Sequence, residues 1–257
     1  MIYQWDLNPV AFSLFGWPVH WYGLAYFISF FVVLYGSFWV LKFSEKNHPS
    51  FSDWEYLLFG TFFCGILGGR LGEIIFYRPE LFLSDPLEII KIWHGGMSIH
   101  GGLIVAIIFA VYWTRKKKFS FWLLVDAVAI FLPIGLMLGR IANFWNGELW
   151  GRITDQTWGV IFPHVDEMLR HPSQLYEAGK NLLLFLILFF LWRWVQPRPG
   201  VIFAVFLGGY GILRFIVEFF REPEIIIWYL TMGQWLSVLV LLVGAIIWQW
   251  QNSAEKT

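Results

Sequence analysis

Seven long apolar runs constrain this chain more than any other feature. They fall at roughly 20–41, 55–77, 98–114, 121–139, 180–195, 201–220 and 229–250, each near the ~20 residues an α-helix needs to cross the hydrocarbon core. Backbone polar groups in lipid have to be satisfied within the segment, so runs of this length read as helices. The expected fold is all-α: a polytopic membrane protein with seven transmembrane helices, forming a single integral membrane domain over 1–257. Composition agrees, with 58% hydrophobic and 14% charged residues, too apolar for an ordinary soluble domain. Seventeen Trp and ten Tyr suit many interfacial anchors. Zero net charge implies no bulk attraction to nucleic acid, so no nucleic-acid partner is expected. The opening MIYQWDLNPVAF lacks the basic n-region of a cleavable signal peptide.

Basic residues set the expected orientation. The tightest cluster, Arg115–Lys118, joins the third and fourth runs, and the positive-inside rule places it in the cytoplasm. Alternation then puts the N-terminus outside and the C-terminus inside. The inner side holds Lys42, Lys46, Arg115, Lys116, Lys117, Lys118, Arg193, Arg198 and Lys256; the outer side holds Arg78, Lys91, Arg140, Arg152, Arg170, Lys180 and Arg221. Nine against seven is a narrow margin, and the cluster carries most of it. In the second run Gly65, Gly68, Gly69 and Gly72 are spaced for close helix packing. Cys64, the sole cysteine, reads as a packed residue rather than a nucleophile.

Between Gly139 and Arg152 the chain reads GRIANFWNGELWGR, directly after a run ending at Leu138. Charged groups are expensive in a bilayer and mark function there. The segment opens the one long extramembrane stretch, 140–179, which holds WGVIFPH (158–164) and HPSQLYEA (171–178) and is expected to form a small external head.

With this orientation, ionisable groups gather in the outer half of the membrane. The sixth run ends in RFIVEFFR. At about 100° per residue Arg214, Glu218 and Arg221 share one face, and Arg214 lies about 10 Å deeper than Arg221. Arg140 ends the fourth run, while Arg70 and Glu73 occupy the last turns of the second. His100 opens the third run; His20 and Tyr22 open the first. The inner half offers little comparable beyond Asp126. Arginine recognises phosphate bidentately, so Arg140 and Arg214, with Arg70 or Arg221, suit the phosphate of a phospholipid and charge growing on a leaving group. Glu148 and Glu218 can orient guanidiniums. Asn143 and Asn146 offer amides to a hydroxylated head group, His100 can take a proton near neutral pH, and Tyr22 can hydrogen-bond a phosphate or orient a base. Blander readings stand beside these: Arg214–Glu218 as an i,i+4 ion pair alone, His100 as a structural histidine, Arg152 and Arg170 as solvated charges. His94, His164 and His171 are scattered, with no metal-ligand spacing, and neither a GxSxG elbow nor a P-loop is present. No metal or other cofactor is expected.

The chain resembles the bacterial prolipoprotein diacylglyceryl transferases. The resemblance rests on HGG at 100–102, GRIANFWNGELWG at 139–151, HPSQLYE at 171–177 and RFIVEFFR at 214–221, with WYG at 21–23, GGR at 68–70 and MGQWLS at 232–237. Two connecting positions, Ala142 and Trp145, depart from the usual Gly and aliphatic residue. The resemblance implies an inner-membrane enzyme that transfers the diacylglyceryl group of phosphatidylglycerol to the lipobox cysteine of a prolipoprotein signal peptide, forming a thioether and releasing glycerol phosphate. It implies that Arg140 and Arg214 hold the phosphate and that His100 deprotonates the thiol with Tyr22 close by. Asn143, Asn146 and Glu148 would place the glycerol head, Gly151 would permit close backbone approach, and Glu218 would orient Arg214, with Arg221 and Glu177 behind them. The rival from another class is a lipid or solute transporter with an outer-leaflet anionic-lipid site, which would line both halves of the membrane with polar groups. An intramembrane protease would need a Ser/His or paired-Asp arrangement that the runs lack.

Overall fold

The computed structural model describes residues 3–253 except 6, 45–47, 86, 88, 89, 92–94 and 224; Lys46, His94 and Lys256 lie outside the described residues. The helices are α1 (Trp21–Lys42), α2 (Phe51–Tyr77), α3 (Pro79–Ser84), α4 (Ile99–Lys117), α5 (Phe121–Trp145), α6 (Ser173–Phe190), α7 (Val201–Val217) and α8 (Met232–Ser253). Among the described residues, six are long and apolar enough to cross a membrane: α1, α2, α5, α6 with the π-helical turn after it, α7 with the 3-10 turn after it, and α8. The third expected run is the 19-residue α4, whose last turn is Arg115–Lys117; it is not among the six.

The chain is mostly helical but, among the described residues, carries three short sheets that an all-α expectation omits. β1 (Tyr3–Gln4), β4 (Val160–Ile161) and β5 (Leu169–Arg170) form one, with β1 parallel to β4. β2 (Val10–Leu14) and β3 (Trp17–His20) form a hairpin, as do β6 (Ile226–Ile227) and β7 (Leu230–Thr231).

Two compact units are present: Met1–Ser37 with Val125–Thr257, and Phe38–Leu124. In the latter, Gly68 and Gly72 of α2 serve the packing expected of them, while Gly65 and Gly69 leave ordinary room. A Cβ on Gly68 would stand 2.6 Å from the Gly101 carbonyl oxygen, and one on Gly72 would stand 2.9 Å from Gly101 Cα. Gly101, from the HGG motif, is therefore there to let two backbones touch. Ser98 ties the contact, donating its N–H to Gly69 O at 2.9 Å while its hydroxyl accepts from Gly101 N at 3.3 Å, which satisfies orphan donors at the start of α4.

In the larger unit α7 packs along α8, with Gly211 against the Ser237 carbonyl. Asp126 of α5 is buried and accepts from Gly200 N at 2.6 Å and Phe203 N at 2.8 Å. It caps the start of α7 from another helix, a structural use for a charge among apolar helices.

Two helices run further than their hydropathy suggests. α5 continues past Leu138 to Trp145, so Arg140 and Asn143 are helical, and α6 begins at Ser173 rather than near 180. The non-helical stretch thus shortens from 140–179 to 146–172. Hydropathy falls where Arg140, Asn143, Glu177 and Lys180 enter; the backbone continues because these groups find polar partners.

Candidate functional site

Glu177 is the centre of the polar cluster. Placed by the second turn of α6, it is 1% exposed. One carboxylate oxygen accepts from Arg214 Nη1. The other is shared between Arg140 Nε at 3.5 Å and Lys180 Nζ at 3.4 Å. Arg214 also meets Glu218 Oε2 at 2.7 Å, and Arg221 Nε approaches the same oxygen at 3.7 Å. Arg214, Glu218 and Arg221 therefore converge as helical geometry predicts, although α7 tightens to a 3-10 turn at Glu218–Phe220. The pair Arg214–Glu218 is not isolated: Glu177 joins it from α6. Thr231 Oγ1 donates to Glu218 Oε1 at 3.0 Å. Lys180 is buried, with Nζ 3.9 Å from the centroid of the Tyr210 ring.

The cluster holds four cations, Arg140, Lys180, Arg214 and Arg221, and two carboxylates, Glu177 and Glu218. Two positive charges are left over in a largely desolvated setting, where electrostatic attraction is strong. Burial, with Arg214 and Arg140 nearby, pushes Arg221 below the usual guanidinium range. Arg140 reaches Glu177 through Nε, which leaves its Nη edge for an anion.

The Asn-Gly-Glu segment turns the chain beside this cluster. Glu148 accepts from Asn143 Nδ2 at 3.2 Å and Asn146 Nδ2 at 3.1 Å, while Asn146 Oδ1 is buried with no partner among the described residues. α6 holds the segment from the other side: Gln174 Nε2 donates to Glu148 O at 2.6 Å and Ser173 Oγ to Leu149 O at 2.9 Å. Gly151 is packed against the protein's own carbonyls. A Cβ there would stand 2.5 Å from the carbonyl oxygens of both His171 and Phe220.

The reading of Arg152 and Arg170 as simply solvated is corrected. Arg170 is buried and bonds Asp166, Glu222 and the Gly151 carbonyl, and Arg152 Nε donates to Arg221 O at 2.8 Å. The physical reason is that the buried carbonyls of Gly151 and Arg221 need donors, which the two guanidiniums supply.

Tyr22 meets Tyr26 hydroxyl to hydroxyl at 3.1 Å, and Tyr26 lies within the electrostatic reach of Arg140 and Glu148. In the Phe38–Leu124 unit, His100 is exposed in the first turn of α4. Arg70 is buried and donates to the carbonyls of Gly95 and Gly96. Sequence reasoning ranked Glu177 second, counted Lys180 only as an outer-side charge and passed over Tyr26 and Tyr210. The spacing of Glu177 and Lys180, i to i+3 on a helix, was the available signal.

These features define a class: a polytopic membrane protein whose packed helices hold a buried, cation-rich polar cluster. Residues 9–250 match the prolipoprotein diacylglyceryl transferase family. The chain belongs to that family and is a membrane-bound transferase. It is 46% identical over 250 residues to a Bordetella avium protein named phosphatidylglycerol–prolipoprotein diacylglyceryl transferase, covering 94% of each chain. Proteins of the same name from Legionella pneumophila and Dechloromonas aromatica are 44% and 43% identical, each over 95% of this chain and 96% and 95% of their own.

Proposed function

We infer that this chain transfers the diacylglyceryl group of phosphatidylglycerol to the lipobox cysteine of a prolipoprotein, the first step of bacterial lipoprotein maturation. The observation that carries the reading is the cluster around Glu177, with two positive charges more than its carboxylates neutralise. An anionic phosphate supplies the missing charge. In the reaction the cysteine sulfur attacks the glyceryl carbon, a C–S bond forms and the C–O bond to phosphate breaks. Glycerol phosphate departs, and the thiol proton passes to a base.

Arg140 and Arg214 hold the phosphate and stabilise the charge that grows on it as it leaves. Glu177 and Glu218 fix Arg214 from two sides, and Arg221 adds to the field. Asn143, Asn146 and Glu148 face the glycerol head, with Asn146 Oδ1 an acceptor in need of a donor. Tyr22 works beside Tyr26 at this end of the cluster. His100 is the proposed thiol base on its residue type, its exposure and its place in the family motif; Arg70 is retained as a lipid-binding residue on the same motif evidence. The proposed setting is the bacterial inner membrane, with seven spans, the 146–172 segment as part of an external head, the N-terminus outside and the C-terminus in the cytoplasm.

The test is a mass-spectrometric assay of purified protein with phosphatidylglycerol vesicles and a lipobox peptide. A diacylglyceryl mass gain is expected on the cysteine peptide and not on its Cys→Ser form. Arg140→Ala should abolish it, and Arg140→Lys should fail nearly as badly because a point charge cannot replace the planar fork. Near-normal turnover of Arg140→Lys would refute bidentate phosphate binding. No mass gain with folded protein would sink the transferase reading and favour transport.

A further inference from the structure

An open groove of about 690 Å³ lies where the chain between α5 and α6 passes the end of α7. Thr154, Asp155 and Gln156 line it with polar groups, Ile153, Trp158 and Met168 with apolar ones, and His171 and Phe220 contribute rings. Trp158 is 59% and Met168 50% exposed, large apolar side chains on a stretch outside the apolar helices. Exposed apolar surface grouped in this way marks a binding surface.

Trp158 is held in place. Its Nε1 donates to the Tyr176 hydroxyl at 2.9 Å, and that hydroxyl lies 3.1 Å from His171 Nδ1. The Phe220 ring stands edge-on to His171 and Tyr176, at 5.2 and 5.6 Å between centroids. A fixed aromatic side chain loses little entropy when a partner covers it. The groove also adjoins the ion cluster through the backbone: Tyr176 precedes Glu177, and Phe220 precedes Arg221.

We propose that this groove binds the polypeptide substrate in extended form, along the residues that follow its reacting cysteine; the inference rests on the transferase reading above. Charge favours a polypeptide over a second phospholipid. Asp155 lines the groove without a lining Lys or Arg, which disfavours a phosphate and suits backbone N–H groups and neutral side chains. The lining mixes hydrogen-bonding groups with apolar side chains, the combination a peptide backbone with alternating side chains requires.

The experiment compares two lipobox peptides, one ending at the cysteine and one running on past it, with wild-type protein and Trp158→Ala in phosphatidylglycerol vesicles. Wild-type KM should be roughly tenfold lower for the longer peptide, the scale of one aromatic anchor. Trp158→Ala should raise that KM to the value of the short peptide, with the KM for phosphatidylglycerol unmoved. Met168→Ala repeats the test if Trp158→Ala does not fold. Equal wild-type KM values for the two peptides would overturn the groove, as would a Trp158→Ala effect on the lipid KM, which would make the surface a membrane contact. Failure of wild type to modify either peptide would instead remove the transferase reading.

Discussion

Glu177 carries more of the site than any single arginine. It pairs with Arg140, Lys180 and Arg214 at once, and removing one partner from a buried ionic group leaves the others uncompensated at a cost of about 3–5 kcal/mol. Glu177→Gln is accordingly expected to lower the melting temperature of the purified protein and to misplace Arg140 and Arg214, cutting transfer. Unchanged melting and turnover would show that the guanidiniums keep their places without the carboxylate. The arginines were legible in the sequence because charges inside runs of lipid-crossing length stand out. Glu177 was less so, because hydropathy starts the fifth run near 180, three residues past it. The helix that carries it became visible only once its ion pairs explained why the backbone does not break there.

At the level of elements, the α2–α4 contact separates glycines that pack from glycines that merely occur. A methyl group on Gly68 would meet the Gly101 backbone oxygen at 2.6 Å, whereas one on Gly65 would find its nearest neighbour at 3.9 Å. Gly68→Ala should therefore destabilise by roughly 1–3 kcal/mol, the cost of overpacking a close contact, while Gly65→Ala should melt like wild type. Melting curves of the two variants check this, and equal curves would mean that α2 shifts along α4 without cost. The four-residue spacing announced close packing, and the structure adds its partner, the glycines of the HGG motif. Spacing alone does not identify a partner helix. For the same reason Asp126 was an unexplained charge until Gly200 N and Phe203 N were found on it: a cap supplied from a distant helix leaves no local pattern.

Across the whole molecule, the non-helical stretch contributes two groups to the acid response. Burial lowers the His171 pKa, and Arg170 holds the Asp166 carboxyl below its usual value. Both groups are depressed on folding, so each contributes stability present above its unfolded pKa and lost as pH falls through its folded one. His171 should act first, below about pH 6.5, and Asp166 later, below about pH 3.9. Melting temperature measured against pH should fall in that order, and Asp166→Asn should lessen the later loss; a wild-type curve flat through both windows would contradict it. Another long-range link concerns the first residues of the chain. Trp5 Nε1 donates to the Phe144 carbonyl at 2.8 Å, a bond spanning 139 positions, and β1 pairs with β4. Residues 3–5 are synthesised well before their partners at Phe144 and in β4, so they wait for both. The brace behind the Asn-Gly-Glu segment consequently closes only after the chain has been made through Ile161.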